Sequence, residues 1–159
     1  MKLSSSSILA LSSILALAGI LATSYLTYQH YKPAGGTFCN VNDYVNCDIV
    51  NKSRYSEILD VPVAALGLLA YTTIGFFSIG LRRKWKFEKI SPRFSPRRIL
   101  AFVFLFSGIS LIFSLYLTFV EFFILRAMCV FCITQQIIIL SIFLLLLILW
   151  LRRQNYFPV

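Results

Sequence analysis

The four cysteines of this 159-residue sequence fall into two pairs. Cys39 and Cys47 are separated by seven residues, and Cys129 and Cys132 form a Cys-x-x-Cys motif. Such pairs can alternate between dithiol and disulfide by attack of a thiolate on a disulfide sulfur, a reaction that moves two electrons. The Cys-x-x-Cys motif opens an apolar stretch, and a helix N-terminus there would favour the thiolate, the nucleophilic form of cysteine. The cysteines therefore indicate redox chemistry.

The elements that must position these cysteines are four apolar stretches. Only 13% of the residues are charged and 58% are hydrophobic, whereas a soluble domain averages about 25% charged residues. Each stretch is long enough to cross about 30 Å of hydrocarbon as a helix. We therefore predict an all-α membrane protein, a four-transmembrane-helix bundle that forms one integral membrane domain over 1–159. The predicted helices cover about residues 8–28, 61–81, 99–125 and 130–151.

The first stretch has a second interpretation. Lys2, the apolar run and the small residues Ala16 and Ala18 are also compatible with a cleavable signal peptide. The run continues past Leu26 to Tyr28, however, and aromatic residues at this point are typical of a membrane interface. We expect an uncleaved first helix.

The distribution of the fifteen basic residues predicts the orientation. Segment 82–98 holds eight of them, and Lys2, Arg152 and Arg153 bring that side to eleven, against four on the other side. Because Lys and Arg remain on the cytoplasmic side, we expect both termini and loop 82–98 to be cytoplasmic. The net charge of +9 is thus explained by membrane topology and anionic lipid, and no nucleic-acid partner is expected.

The loop over 29–60 is then extracytoplasmic, as is the turn before the fourth helix. All four cysteines consequently face an oxidising compartment, where disulfides form and persist. We expect a bacterial or archaeal cytoplasmic membrane, with the ER membrane and lumenal cysteines as the alternative. Within this large loop, residues 53–59 have apolar side chains at helical spacing, and Ser53 is a candidate N-cap. This pattern predicts a short surface helix.

Two other uses of the cysteines stay open. They could be static bridges in a non-catalytic four-span membrane protein with structural disulfides. They could also bind zinc, although the spacing of Cys39 and Cys47 is wider than in structural zinc sites, and the single histidine, His30, is expected at the membrane boundary. We favour a redox role and expect no metal.

Two dithiol pairs on one membrane face can pass electrons in sequence. A loop pair can meet a soluble dithiol protein, and a pair at the edge of a helix bundle can meet a carrier dissolved in lipid. The sequence has no haem-attachment motif, no Gly-rich dinucleotide fingerprint and no flavin site. A quinone (ubiquinone, menaquinone or phylloquinone) is therefore the expected electron acceptor.

The order of these features resembles the vitamin K epoxide reductase family, over most of residues 8–150. The resemblance rests on four helices, Cys-x₇-Cys in the first outward loop and Cys-x-x-Cys at the start of the fourth helix. The stretches 39–48 and 61–71, together with Ser53, are similar to the prokaryotic members. DsbB-type oxidases have the two pairs in the opposite order.

The resemblance implies a role for each site residue. Cys39 would exchange with a thioredoxin-like (DsbA-type) soluble protein, and Cys47 would bridge transiently to Cys129. Cys132 would face the quinone. By the same resemblance, the quinone-binding residues would be Ser53, Val63, Leu66 and Gln136.

The sequence departs from the animal enzymes at two of these positions. They carry Asn where this chain has Val63 and Tyr where it has Gln136, and polar groups of this kind supply the specificity of a binding site. We therefore expect disulfide formation coupled to quinone reduction, with a vitamin K epoxide or quinone reductase of the ER membrane as the alternative. Since the 159 residues include no thioredoxin-like domain, we expect a separate soluble partner.

Overall fold

The protein forms a bundle of four long helices, with the first two joined by a folded loop. The computed structural model describes residues 4–33, 35, 37, 39–85 and 95–152. All four long helices are long and apolar enough to cross a membrane, which confirms the predicted fold class. The helices are α1 (Ser5–His30), α2 (Cys47–Asn51), α3 (Val63–Arg82), α4 (Pro96–Phe119) and α5 (Val130–Leu151).

The observed bounds of the four spans lie close to the predicted ones. α1 and α4 each begin three residues before the predicted positions 8 and 99, and the third span reaches the predicted position 125 only through the π-helical segment that follows α4. Lys2, Arg153 and residues 86–94 of the predicted basic loop lie outside the described residues.

Each long helix packs against two others. α1 lies against α3 and α5, and α4 lies against α5 and α3. The side chains at the centre, such as Ile74, Leu100 and Ile142, are fully buried. Outward-facing side chains such as Leu21 and Ile112 are equally apolar but mostly exposed. This distribution suits a bundle in lipid, where internal packing rather than hydrophobicity holds the helices together.

Small residues allow the close approach of α1 and α3. A Cβ atom at Gly19 would lie 2.5 Å from the ring of Tyr71, so only glycine leaves room for that ring. The Tyr71 hydroxyl then donates a hydrogen bond to the Gln135 carbonyl oxygen on α5, at 3.0 Å. One tyrosine therefore contacts α1 and α5 from α3.

The loop between α1 and α3 differs from the predicted one. Its helix is α2, where the Asn46 side chain caps the start by accepting a hydrogen bond from the Ile49 N–H. The predicted helix over 53–59 is wrong. A 3-10 turn at Arg54–Ser56 is followed by two antiparallel strands, β1 (Glu57–Ile58) and β2 (Val61–Pro62).

Backbone conformation explains this difference. Leu59 and Asp60 have φ values of 52° and 62°, the left-handed region used by the two central residues of a tight hairpin turn. A helix cannot continue through these two residues. Ser53 precedes the 3-10 turn, but its side chain makes no capping hydrogen bond.

The end of α4 returns the chain toward this loop. A π-helical segment, Val120–Leu125, follows α4 directly, and Arg126 then adopts a left-handed conformation with φ 51°. α5 begins four residues later with Cys129 as its N-cap. The Cys-x-x-Cys motif therefore opens the fourth long helix, as predicted, at the end of the bundle that carries the loop.

Candidate functional site

The loop pair of cysteines forms a disulfide. Cys39 and Cys47 are bonded, with their Cα atoms 5.7 Å apart, and both are buried. Cys47 is the first residue of α2, whereas Cys39 lies in the irregular segment before it. The bond thus connects α2 to the preceding part of the loop.

Asp48 holds the same two parts of the loop together. Its Oδ2 atom accepts hydrogen bonds from the Gly35 N–H and from the Asn40 side-chain amide, each at 2.7 Å. Lys52 lies 3.4 Å from the other carboxylate oxygen. Burial acts to raise the pKa of Asp48, but these hydrogen bonds and the nearby cation outweigh it, so that the pKa lies below its ordinary value. The charged carboxylate therefore stabilises the region around the disulfide.

The loop docks on the residues that precede α5. Val45 forms an isolated parallel bridge with Met128. The Asn46 N–H donates to the Met128 carbonyl oxygen at 3.0 Å, and the Met128 N–H donates to the Tyr44 carbonyl oxygen. Because Met128 immediately precedes Cys129, these backbone contacts bring the two cysteine pairs to the same place.

Three of the four cysteines share one small apolar cluster. Cys39, Cys47 and Cys129 pack together with Leu26 of α1, and Cys132 is packed against this cluster. The sulfur atoms of Cys129 and Cys132 lie 2.6 Å apart, close to the distance of a disulfide. The Cys132 N–H also donates to the Cys129 sulfur at 3.2 Å. This arrangement can support disulfide exchange between the pairs.

A cavity of about 450 Å³ lies beside the Cys-x-x-Cys pair. Cys132 lines it, whereas Cys129 is fully buried in the cluster. Its volume falls within the range of about 300–1,000 Å³ that is typical of small-molecule sites. The wall is mainly apolar and includes Phe106, Phe113 and Ile139. An apolar ring compound could therefore approach Cys132.

The cavity contains three of the four predicted quinone-binding residues. Ser53, Val63 and Leu66 line it, but Gln136 is not in its wall, which carries Gln135 instead. The Gln136 side-chain oxygen accepts hydrogen bonds from Ser114 and Thr118. Because successive residues of an α-helix are rotated by about 100°, a shift of one residue changes which side chain reaches the cavity.

The hydrogen bonds of the cavity wall distinguish Ser53 from its polar neighbours. The Asn51 amide donates to the Leu26 carbonyl oxygen at 2.9 Å, and Tyr71 donates to Gln135. Within the described part of the chain, the buried hydroxyl of Ser53 has no hydrogen-bond partner. A buried polar group without a partner costs about 1–3 kcal/mol. Ser53 is thus available to a ligand carbonyl.

The polar residues of this wall that sequence reasoning did not assign to the site include Asn51, Tyr71, Glu121 and Gln135. Glu121 is buried, and its carboxylate accepts a hydrogen bond from the Cys129 N–H. A signal for this residue was present, because an acidic residue inside an apolar span marks a functional site by default. No comparable signal identifies the other three residues.

His30 ends α1 and contacts the loop. Its Nδ1 atom lies 2.7 Å from the Asn51 carbonyl oxygen, and its Nε2 atom lies 2.9 Å from the Glu57 carboxylate. The ring therefore connects α1 to α2 and β1. Among the described residues, no group of three or more His, Cys, Asp or Glu side chains could hold a metal ion.

A comparison with protein-family models supports the chemistry that this geometry allows. Residues 10–147 match the model described as the vitamin K epoxide reductase family. The match covers both cysteine pairs, most or all of each long helix and every residue of the cavity wall described above. The chain therefore belongs to the vitamin K epoxide reductase family, whose members are membrane oxidoreductases that act on thiols, disulfides and quinones.

Proposed function

We propose that this protein oxidises a thioredoxin-like (DsbA-type) soluble protein and reduces a quinone in the membrane, so that it drives disulfide bond formation. One observation carries the proposal. Cys39, Cys47 and Cys129 meet in a single cluster, and Cys132 connects that cluster to the cavity. The cysteines therefore form a continuous route from the loop to a site that an apolar acceptor can enter.

The first exchange takes place at the loop pair. A thiolate of the reduced partner attacks the sulfur of Cys39, which breaks the Cys39–Cys47 disulfide and forms a mixed disulfide. The second thiol of the partner then attacks that bond and leaves with the partner as a disulfide. Cys39 and Cys47 remain as a dithiol that holds the two electrons.

The second exchange transfers these electrons to the Cys-x-x-Cys pair. Cys47 attacks Cys129 of an oxidised Cys129–Cys132 bond, and Cys39 resolves the resulting bridge. This regenerates the loop disulfide and leaves two thiols at Cys129 and Cys132. Oxidation of that pair then supplies two electrons and two protons to the quinone, which becomes the hydroquinone.

The cavity supports the choice of a quinone. Its apolar wall suits the ring and the lipid tail, and the Ser53 hydroxyl can donate to a ring carbonyl. Val63 and Leu66 would pack against the ring. Gln136 would act only indirectly, through the hydroxyls of Ser114 and Thr118. Ubiquinone, menaquinone and phylloquinone share the ring carbonyls that this site would recognise.

The orientation follows from the basic residues at the end of the bundle away from the cysteines. Arg82, Arg83 and Lys84 lie at the end of α3, Arg97 and Arg98 at the start of α4, and Arg152 at the end of α5. Since such residues stay cytoplasmic, the cysteines would face the outside of a bacterial or archaeal cytoplasmic membrane. The thioredoxin-like partner would bind there.

Quinone reduction by the purified chain in lipid nanodiscs tests the proposal. A reduced thioredoxin-like protein and a quinone are supplied, and quinone absorbance is followed. We expect Cys132→Ala to abolish reduction, and Cys39→Ala to abolish it with the protein donor while sparing reduction by a small dithiol that can reach Cys129 and Cys132. Vitamin K epoxide should remain unreduced under the same conditions.

A buried serine of α4 provides the control. Ser107→Ala removes a hydroxyl that only bonds its own helix, at the Phe104 carbonyl, so its activity should match that of the wild type. Quinone reduction by the Cys132→Ala variant would contradict the electron path. Efficient turnover of the epoxide would contradict the substrate assignment.

A further inference from the structure

Glu121 is an acidic residue in direct contact with the backbone of the Cys-x-x-Cys pair. It is the only Asp or Glu within the four spans, and its side chain is buried. It lies in the π-helical segment that follows α4, and its carboxylate accepts a hydrogen bond from the Cys129 N–H. Burying a single acidic side chain in an apolar bundle costs free energy, so a function for Glu121 is expected.

The same residue also reaches the cavity. Glu121 and Cys132 both line it, and the two side chains interact electrostatically. Among the described residues of the cavity wall, Glu121 is the only one with a carboxyl group. It therefore contacts the N-terminal turn of the dithiol motif and the space that a quinone would occupy.

Quinone reduction by the Cys-x-x-Cys pair needs a side chain that can carry protons from the thiols to the cavity. When the thiols of Cys129 and Cys132 form a disulfide, two S–H bonds break, one S–S bond forms and two electrons leave. The quinone takes up those two electrons and needs two protons for its oxygens. Because Cys129 is fully buried and Cys132 opens onto a mainly apolar wall, an ionisable side chain beside the pair is a candidate carrier of these protons.

We propose that Glu121 relays these protons from the dithiol to the quinone, one at a time. Its carboxylate accepts the proton of Cys132 and returns it to a ring oxygen. The proton of Cys129 then passes to the Cys132 thiolate, whose sulfur is its neighbour, and reaches the second ring oxygen through the same carboxylate. The two electrons pass to the quinone as the S–S bond forms. Glu121 ends each turnover in its starting state, and the products are the disulfide and the hydroquinone.

The other titratable groups described below, which surround the Cys-x-x-Cys pair, are less suited to this role than Glu121. On α3, the Tyr71 hydroxyl donates to the Gln135 carbonyl oxygen. On α2, Cys47 is in a disulfide and Asp48 is bonded to Gly35 and Asn40. On α5, the facing groups are the two thiols themselves, and Arg126 in the connecting turn is exposed. None of these other groups offers a free carboxylate to the cavity.

Substitution with glutamine separates the proton relay from simple positioning. Glu121→Gln keeps the length of the side chain and an oxygen that can accept the Cys129 N–H, but it cannot carry a proton. Glu121→Asp keeps the acid on a shorter side chain. Both variants are measured with a small dithiol and a short-chain quinone in nanodiscs, so that no protein partner is required. Ser107→Ala on α4 is the matched control for folding.

We expect Glu121→Gln to lower kcat by about 10²–10⁴-fold, the usual contribution of acid–base catalysis, with little change in the KM for quinone. Glu121→Asp should recover part of that loss. Since the carboxylate must be free to accept a proton, wild-type kcat should fall toward acidic pH. This fall should be absent in Glu121→Gln, a difference that a purely structural role would not produce.

Three results would overturn the relay. The first is a Glu121→Gln variant with a kcat near that of the wild type. The second is a fall of kcat toward acidic pH in Glu121→Gln that equals the fall in the wild type. The third is an equal loss of kcat in Glu121→Gln and Glu121→Asp. The relay deepens the proposed function and rests on it. If the wild-type protein failed to reduce quinone, both would fall, whereas an active wild type with an equally active Glu121→Gln variant would remove the relay alone.

Discussion

At the scale of single residues, the proposed recognition of a ligand in the cavity depends on one hydroxyl group. The Ser53 hydroxyl is buried in the wall and has no partner among the described residues, in contrast to Asn51 and Tyr71, whose donors bond to backbone carbonyls. Replacement by alanine would remove no hydrogen bond among the described residues. Because Ser53 lines the cavity, its hydroxyl could donate to a ligand bound there.

We expect Ser53→Ala to raise the KM for quinone by roughly tenfold, because one hydrogen bond contributes about 0.5–1.5 kcal/mol and 1.4 kcal/mol corresponds to a factor of ten. Steady-state quinone reduction measures this, and kcat should change little. In the absence of quinone, the Tm of the variant should be equal to or above that of the wild type, since an unpartnered hydroxyl is removed.

Ser78→Ala is the matched control for this substitution. Ser78 on α3 is also buried with no hydrogen-bond partner for its hydroxyl among the described residues, but it does not line the cavity. It should leave the KM unchanged. A Ser53→Ala variant that behaves like Ser78→Ala would show that the hydroxyl makes no bond to quinone.

At the scale of elements, specific contacts stabilise the loop more than its short helix and strands do, and the charged Asp48 side chain makes several of them. α2 has only five residues and β1 and β2 have two each. Such short pieces are not stable alone, so their arrangement depends on the disulfide, on Asp48 and on the docking of Asn46 against Met128. The loop therefore forms as one unit with the start of α5.

Asp48→Asn should weaken this unit in a manner that depends on pH. Hydrogen bonds to a charged group contribute about 1.5–3 kcal/mol each, and the pKa of Asp48 is lower in the folded state than in the unfolded chain. Its stabilisation is therefore present above the unfolded value of about 3.9 and is lost as the pH falls through the folded value. The Tm difference from the wild type should be largest near neutral pH and shrink below about pH 4.

Reduction of the loop disulfide by dithiothreitol gives a second measurement, and it should be faster in Asp48→Asn at neutral pH. Asp43→Asn is the control, because Asp43 lies in the same loop and is exposed. A Tm difference that stayed constant from neutral to acidic pH would exclude the charge of Asp48 as the cause.

At the scale of the whole molecule, one end of the bundle carries the cysteines and the cavity, and the other end, here called the basic end, carries most of the described basic residues. The cysteines, the loop and the cavity lie at one end together with Lys32 and Arg126, whereas Arg82, Arg83, Lys84, Arg97, Arg98 and Arg152 lie at the other. This asymmetry does not itself state which side of the membrane each end faces. The positive-inside rule assigns the basic end to the cytoplasm.

Labelling of single introduced cysteines tests that assignment. In a background with all four native cysteines replaced by serine, we expect Arg54→Cys to react with a membrane-impermeant maleimide in intact cells. Lys84→Cys should react only after the membrane is permeabilised. Both positions are exposed in the structure, so accessibility to the reagent differs only by side. The reverse pattern would invert the proposed topology.

The sequence by itself determined the four spans, the two cysteine pairs and the class of chemistry. These are local properties, because the length of an apolar run is set by the thickness of the bilayer and a Cys-x-x-Cys turn is set by the neighbouring backbone. The turn at Cys129 and the start of α5 at Val130 illustrate this, since both agree with the prediction.

Only the tertiary structure decided which side chains share the cavity. Three features were seen only in the structure: Gln135 rather than Gln136 lines the cavity, a hairpin stands in place of a helix at 53–59, and Glu121 is buried beside Cys129. The rotation of α5 about its axis and the reversal of the chain after the π-helical segment result from packing among several helices. No short window of the sequence contains that information, because the cavity wall combines side chains from α1, α3, α4, α5 and the loop.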